Sequence, residues 1–243
     1  MIKLSEIPTR PPKNVDDKKL KKLTAQYVAR IGELNEIMRA EQKHSLLVIL
    51  QGMDCSGKDG AVKNVFKDCT HFNLSVYAFK KPTPIEFSHD FLWRVHQQAP
   101  VKGDIKIFNR SQYEDILIQR VHKWIDEERA EKRMAAINAM EELLVFDNNT
   151  TILKFYLHIS FKQQEIELQQ RIDEADKRWK HSDGDWEERK HWDEYMRCYE
   201  YAINHSSIPW TVVPVDVRWY RDYIIAKKVC ETMEAMDLKY PVV

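Results

Sequence analysis

Leu46, Leu47, Val48, Ile49 and Leu50 form an uninterrupted apolar run that leads into a glycine-bracketed turn, QGMDCSGKDG. Behind the turn, Ala61, Val62, Val65 and Phe66 recur at helical spacing. An apolar run without alternation predicts a strand covered on both faces, as in a parallel sheet flanked by helices. Strand, glycine turn and helix in this order commit the chain to an α/β architecture whose ligands sit outside the carboxyl ends of the strands. The turn itself has the spacing of a phosphate-binding loop: Gly52, four residues, Gly57, then Lys58. Backbone N–H groups between Gly52 and Gly60, aimed outward at a helix start, bind phosphate oxygens, and Lys58 adds a point charge. Loops of this kind normally place Ser or Thr after the lysine to reach magnesium, but here the residue is Asp59, and a second acid, Asp54, lies inside the turn. A bare acid would repel an anion, so Asp54 is expected to hold a metal ion or a cationic partner that itself faces phosphate. The pattern points to phosphoryl transfer.

An amphipathic helix carrying Leu20, Leu23, Tyr27, Ile31, Leu34 and Met38 precedes the loop and is expected to pack across the sheet. Further strands are predicted at Ser75–Phe79, Asp104–Phe108, Thr151–Ile159 and Trp210–Pro214, each separated from the next by helical spacing. The alternation implies a three-layer α/β/α sandwich with a parallel sheet, all 243 residues forming one unit with an N-terminal arm and helix over about residues 1–44. With 38 basic and 38 acidic side chains the net charge is zero, which argues against nucleic acid or an anionic membrane as partner and makes any anion site local. Cys55, Cys69, Cys198 and Cys230 lack metal-ligand spacing, the amino terminus has no signal-peptide core, and no apolar stretch approaches membrane-spanning length. A cytoplasmic location is expected, with Cys55 filling a small-residue position beside the strand.

Charged residues gather where the sheet argument places ligands. Lys80 and Lys81 follow the Ser75–Phe79 strand, while Asn109, Arg110 and, one turn on, Glu114 follow the Asp104–Phe108 strand. An arginine just past a buried strand is preorganised to grip phosphate as a fork, and Glu114 is placed to reach a metal. Residues 171–197 mix dense charge of both signs with Trp179, Trp186 and Trp192. Equal acid density excludes a continuous basic track for single-stranded nucleic acid, so a hinged helical lid is expected, bringing Arg178, Lys180 or Arg189 over the substrate. The three tryptophans are expected to anchor it.

Taken together, GMDCSGKDG, the FKKPT turn, HDFLWR at His89–Arg94, FNRSQYE at Phe108–Glu114, KRWKHS and EERKHWDEYM resemble the polyphosphate kinase 2 family. The resemblance implies reversible phosphoryl transfer between inorganic polyphosphate and nucleotides on a phosphate-loop kinase fold with a helical lid, using Mg2+ or Mn2+. By the same similarity Asp54 and Glu114 anchor the metals, Lys58 and Arg110 hold the phosphates around the reacting centre, and Lys80 and Lys81 guide the polyphosphate. Gly52, Gly57, Asp59, Gly60, Arg178, Lys180 and Arg189 complete the implied phosphate contacts, and Asp90, Arg94, Asn109 and Arg110 the implied nucleotide contacts. Many members carry Asp before the post-strand arginine and Asn at the later acidic position, where this chain has Asn109 and Glu114. That pattern resembles the class III subgroup, whose members phosphorylate both mono- and diphosphates. AMP, ADP, ATP and guanine nucleotides are the implied small-molecule partners, and a homo-oligomer the implied assembly. Two other readings of the loop stand beside this one: an ATP-dependent nucleotide or small-metabolite kinase, and a non-catalytic nucleotide-binding module.

Overall fold

The apolar run becomes β1, Ser45–Gln51, buried at every position. In this computed structural model, which describes residues 1–242, β1 is preceded by α1, Asp17–Glu41, and followed by α2, Lys58–Val65. The chain continues through β2, Leu74–Ala78, the short helices α3, Pro84–Phe87, and α4, Trp93–His96, and then β3, Ile105–Asn109. A 3-10 turn over Gln112–Asp115 leads to α5, Ile118–Val121, α6, Glu127–Asn148, and β4, Thr150–His158. The remainder is α7, Phe161–Asp173, a 3-10 turn over Arg178–Lys180, α8, Asp183–Arg189, α9, Trp192–His205, β5, Trp210–Pro214, and α10, Arg218–Ala235.

All four strand pairings are parallel and the order is β2-β3-β1-β4-β5. β1 is the central strand, with Val48 in register with Ile107 on one side and Leu153 on the other. It is buried at every position because helices cover both faces of the sheet, which explains why its run has no polar alternation. Lys154 and Tyr156, two residues apart and so on one face of the sheet, meet Glu141 of α6 and Tyr199 of α9. α1, α2 and α10 pack together as the other helical layer. α1 therefore lies along α10 rather than across the sheet: Ile31, Leu34 and Met38 are buried, while Leu20, Leu23 and Tyr27 stay half-buried, Tyr27 against Tyr223. Local chemistry sets the helix ends. Asp16, Asp126 and Ser160 accept hydrogen bonds from the first-turn N–H groups of Lys19, Arg129 and Gln163, and Gln42 and Asn149 close α1 and α6 in the left-handed conformation. Among the described residues no helix is long and apolar enough to cross a membrane.

Candidate active site

The chain leaves β1 through Gly52, whose φ is +153° and where a Cβ would come within 2.7 Å of the Leu157 carbonyl oxygen of β4. Glycine is required there by both conformation and space. The loop turns through Cys55 at φ 67° and Gly57 at φ 87° before α2 starts. Cys55 thus sits on the cavity wall rather than beside the strand, and burial raises its thiol pKa to about 11, which keeps it an unreactive thiol. The N–H groups of Gly57, Lys58, Asp59 and Gly60 make no hydrogen bond among the described residues. They are the orphan donors of a helix start, where an anion is the natural partner.

Lys58 is buried under this loop, its Nζ donating to the carbonyl oxygens of Gly52 at 2.8 Å and Met53 at 3.1 Å. Burial, reinforced by the nearby Arg110 charge, lowers its pKa from the ordinary 10.5 to about 8. Two consequences follow for pH. Between about 8 and 10.5 the folded protein holds fewer protons at this site than the unfolded chain, so Lys58 adds stability as pH rises through that window. Anion binding has the opposite trend. A titration with inorganic pyrophosphate is expected to weaken as pH rises through about 8. The weakening should be absent in Lys58→Arg, whose charge persists. Affinity that ignores pH across that range in the unsubstituted protein would mean that the Lys58 ammonium does not face the anion.

Asp54 has the cationic partner the loop required. Arg110, the residue after β3, pairs with Asp54 through Nη2 and with Glu114 through Nη1 at 3.3 Å. Burial pushes the Asp54 carboxyl up, but the charges of Arg110 and Lys58 and the hydrogen bond from Arg110 outweigh it and hold the group below the usual carboxylate range. Glu114 and Asp54 in turn raise the guanidinium pKa against the effect of its burial. Arg110 adopts φ 60°, a left-handed conformation that a non-glycine side chain takes only at an energetic cost and that is concentrated at functional sites. Asp59 is likewise not bare: the Asn109 amide donates to it at 2.6 Å and Lys180 Nζ lies 3.9 Å away.

The loop opens into a cavity of about 520 Å3, which Asp54, Lys58, Lys80, Asn109, Arg110 and Lys180 also line. A second cavity of about 320 Å3, largely apolar, adjoins it and is walled by Pro82, Phe87, Ile118 and Trp124 with Lys81, Arg94 and Glu114. Lys80 and Arg110 belong to both. Several residues singled out by sequence lie elsewhere. Arg178 points its Nε to the Ile172 carbonyl and does not line the first cavity. Arg189 is buried in the joint between α7 and α8, bonded to the Phe161 carbonyl and Gln164 and stacked over the Phe161 ring. Asp90 lines neither cavity and accepts from the Leu92 N–H, whereas Arg94, in the wall of the second cavity, also braces the Lys80 turn through its carbonyl at 2.9 Å and pairs with buried Asp115. Trp179 is 78% exposed, with the Lys180 ammonium over its ring, and so is not the packing anchor expected, whereas Trp192 packs edge-on against Phe161. Conversely Arg171, Lys177, Arg218 and Arg221, which are not among the residues the sequence predicts for the site, line the first cavity. Arg218 and Arg221 lie just past β5, so the strand-end rule applied to Lys80 and Arg110 also covers them.

The model of the family described as polyphosphate kinase 2 matches residues 13–241. The chain belongs to the polyphosphate kinase 2 family. Family membership makes it a phosphotransferase and gives the loop, the parallel sheet and the cation-lined cavity a common purpose. The AMP/ADP-polyphosphate phosphotransferase of Meiothermus ruber is 44% identical over 215 residues, covering 87% of this chain and 80% of that one. The ADP-polyphosphate phosphotransferase of Rhodopseudomonas palustris is 38% identical over 234 residues, covering 90% and 81%. Among solved structures, the crystal structure of polyphosphate kinase 2 from Arthrobacter aurescens superposes with a TM-score of 0.95 at 39% identity, covering 100% of this chain and 88% of that one.

Proposed function

We propose that this polyphosphate kinase 2 moves the terminal phosphoryl group of inorganic polyphosphate onto nucleoside mono- and diphosphates, AMP to ADP and ADP to ATP, and back. The observation that carries the reading is the junction of two unlike cavities at Arg110 and Lys80. On one side lie the unspent loop N–H groups, Lys58 and the cations Arg171, Lys177, Lys180 and Arg218, suited to a polyanion. On the other lie Phe87, Pro82, Ile118 and Trp124, suited to the flat face of a nucleoside. Phosphoryl transfer asks a protein to position two anions and to neutralise the charge that develops between them, and Arg110 stands at that point.

Asp54 and Glu114 are hard oxygen donors held on either side of the Arg110 guanidinium, and no cluster of three or more metal-ligating side chains occurs among the described residues. Two carboxylates fit Mg2+ or Mn2+, since such ions are commonly held by one or two carboxylates with substrate phosphates and water completing the shell. When bound there, the ion would supply further neutralisation of phosphate charge. The segment between α7 and α8 brings Lys177 and Lys180 to the cavity rim, with Arg171 donating to the Lys180 carbonyl and to Asp185; it is the part suited to close over the substrates. The same reading includes guanine nucleotides as alternative acceptors, a homo-oligomer and a cytoplasmic setting.

The direct test supplies purified protein with magnesium, long-chain polyphosphate and either AMP or ADP, and follows ADP and ATP by chromatography, with ATP as the alternative donor. Product from both acceptors supports the reading, product from ADP alone removes the monophosphate part, and transfer from ATP without use of polyphosphate replaces it with an ordinary nucleotide kinase. Glu114 on the nucleoside side of Arg110 is the position that resembles the class III pattern. Glu114→Asn is expected to reduce turnover with AMP more than with ADP, as the loss of one charge clamp costs about a hundredfold or more. Equal use of the two acceptors before and after substitution would leave the monophosphate activity without its structural basis.

A further inference from the structure

We propose that Arg221, on the first turn of α10 and in the wall of the first cavity, is a positioning residue that holds the phosphate loop in its binding shape through the Gly57 carbonyl. The inference rests on the reading of that loop as the polyphosphate site. Arg221 is 3% exposed, and its guanidinium is fixed at two ends. Nε and Nη2 donate to one oxygen of Asp222 at 2.8 and 2.7 Å, while Nη1 donates to the Gly57 carbonyl at 3.0 Å. Asp222 is held in turn by the Asn64 amide of α2 at 2.7 Å, so the guanidinium, the loop and α2 form one hydrogen-bonded frame. Gly57 also accepts the first helical hydrogen bond, from Ala61. That carbonyl shares its peptide plane with the Lys58 N–H, so pinning it fixes the direction of this unbonded donor at the start of α2, next to those of Gly57, Asp59 and Gly60.

The same frame explains two of the loop's glycines. At Gly57 a Cβ would run into Arg221 Nη1. At Gly60 the backbone is ordinary α-helix, where alanine is normally preferred, and the three nearest heavy atoms to an added Cβ all belong to the Arg221 guanidinium, the closest being Nη2 at 3.1 Å. A guanidinium tied to Asp222 and Gly57 can yield by the few tenths of an ångström required only by lengthening its hydrogen bond to one of them, which shifts the Gly57 carbonyl or loosens its hold.

This gives a test whose sign depends on Arg221. Inorganic tripolyphosphate binding is measured by calorimetry in the unsubstituted protein and in Gly60→Ala, Arg221→Lys, Arg221→Ala and the double variant Gly60→Ala with Arg221→Ala, each checked for an intact fold by circular dichroism. Gly60→Ala is expected to weaken binding about tenfold alone and to change it little in the Arg221→Ala background. Arg221→Lys should weaken binding as much as Arg221→Ala does, because an ammonium keeps the charge but not the fork that grips Gly57 and Asp222 together. Near-normal binding by Arg221→Lys, or equal effects of Gly60→Ala in both backgrounds, would overturn the positioning role while leaving the phosphate site in place. Absence of tripolyphosphate binding in the unsubstituted protein would overturn the phosphate reading and the inference with it.

Discussion

Substituting Arg110 by alanine is expected to lower polyphosphate-dependent turnover with ADP by about a hundred- to a thousandfold. The side chain bridges Asp54 and Glu114, and it lines both cavities where they meet. Its loss removes a cation from the transfer point and also leaves two carboxylates facing incoming phosphate without compensation, so two unfavourable effects add. Stability should fall far less than activity, because Arg110 is held at φ 60° for its position rather than for packing. Arg110→Lys should not restore the rate, since a point charge on a flexible stem does not span the two acids as the planar guanidinium does. The check is a saturating steady-state assay with ADP and polyphosphate, alongside thermal unfolding of each variant. Turnover within about tenfold of the unsubstituted protein would assign Arg110 a structural part only.

The second large effect concerns folding. Lys154 in the middle of β4 and Glu141 of α6 are both fully buried and pair at 2.6 Å. Burial pushes the Glu141 carboxyl up and the Lys154 ammonium down, so each charge is retained at the expense of its desolvation and is stabilised by the other. The pair is hydrogen-bonded further: Lys154 donates to the Tyr113 hydroxyl at 2.7 Å, and the Gln112 amide donates to Glu141 at 2.9 Å. Glu141→Ala or Lys154→Ala alone is expected to destabilise the fold by about 3–5 kcal/mol, because each leaves one unpaired charge in the core. The double variant Glu141→Leu with Lys154→Met should lose much less than the sum of the single changes. Urea unfolding of the single and double variants measures this directly. A double variant no more stable than the singles would show that the polar network, rather than the uncompensated charge, dominates. The network also holds the 3-10 turn that carries Glu114, which ties the core to the candidate site.

Much of the architecture was legible because it is written in short-range patterns. The uninterrupted apolar run predicted a doubly covered strand, and β1 is buried along its whole length between β3 and β4. Trp210–Pro214 is β5 as predicted, and the other three predicted strands lie within one residue of those observed. The loop and two strand ends, at Lys80 and Arg110, were recognisable as parts of one place because a parallel sheet brings the carboxyl ends of its strands together. Lys154 was the exception among strand residues. A lysine in a β4 otherwise rich in apolar residues carries no sign that it faces Glu141, thirteen positions earlier, rather than solvent.

The sequence by itself determined the periodicities, the glycine turn and the order of strands and helices, since these depend on residues within a few positions of one another. Tertiary structure alone decided which long side chains reach the cavity. Arg178 and Arg189, placed over the substrate by their position in a charged segment, bond instead to the Ile172 and Phe161 carbonyls. Arg221 reaches a loop 164 positions away in sequence. A guanidinium at the end of a flexible stem takes its direction from whichever acceptors the crossing of distant elements brings within reach, and that crossing is set by packing of the whole core rather than by local spacing.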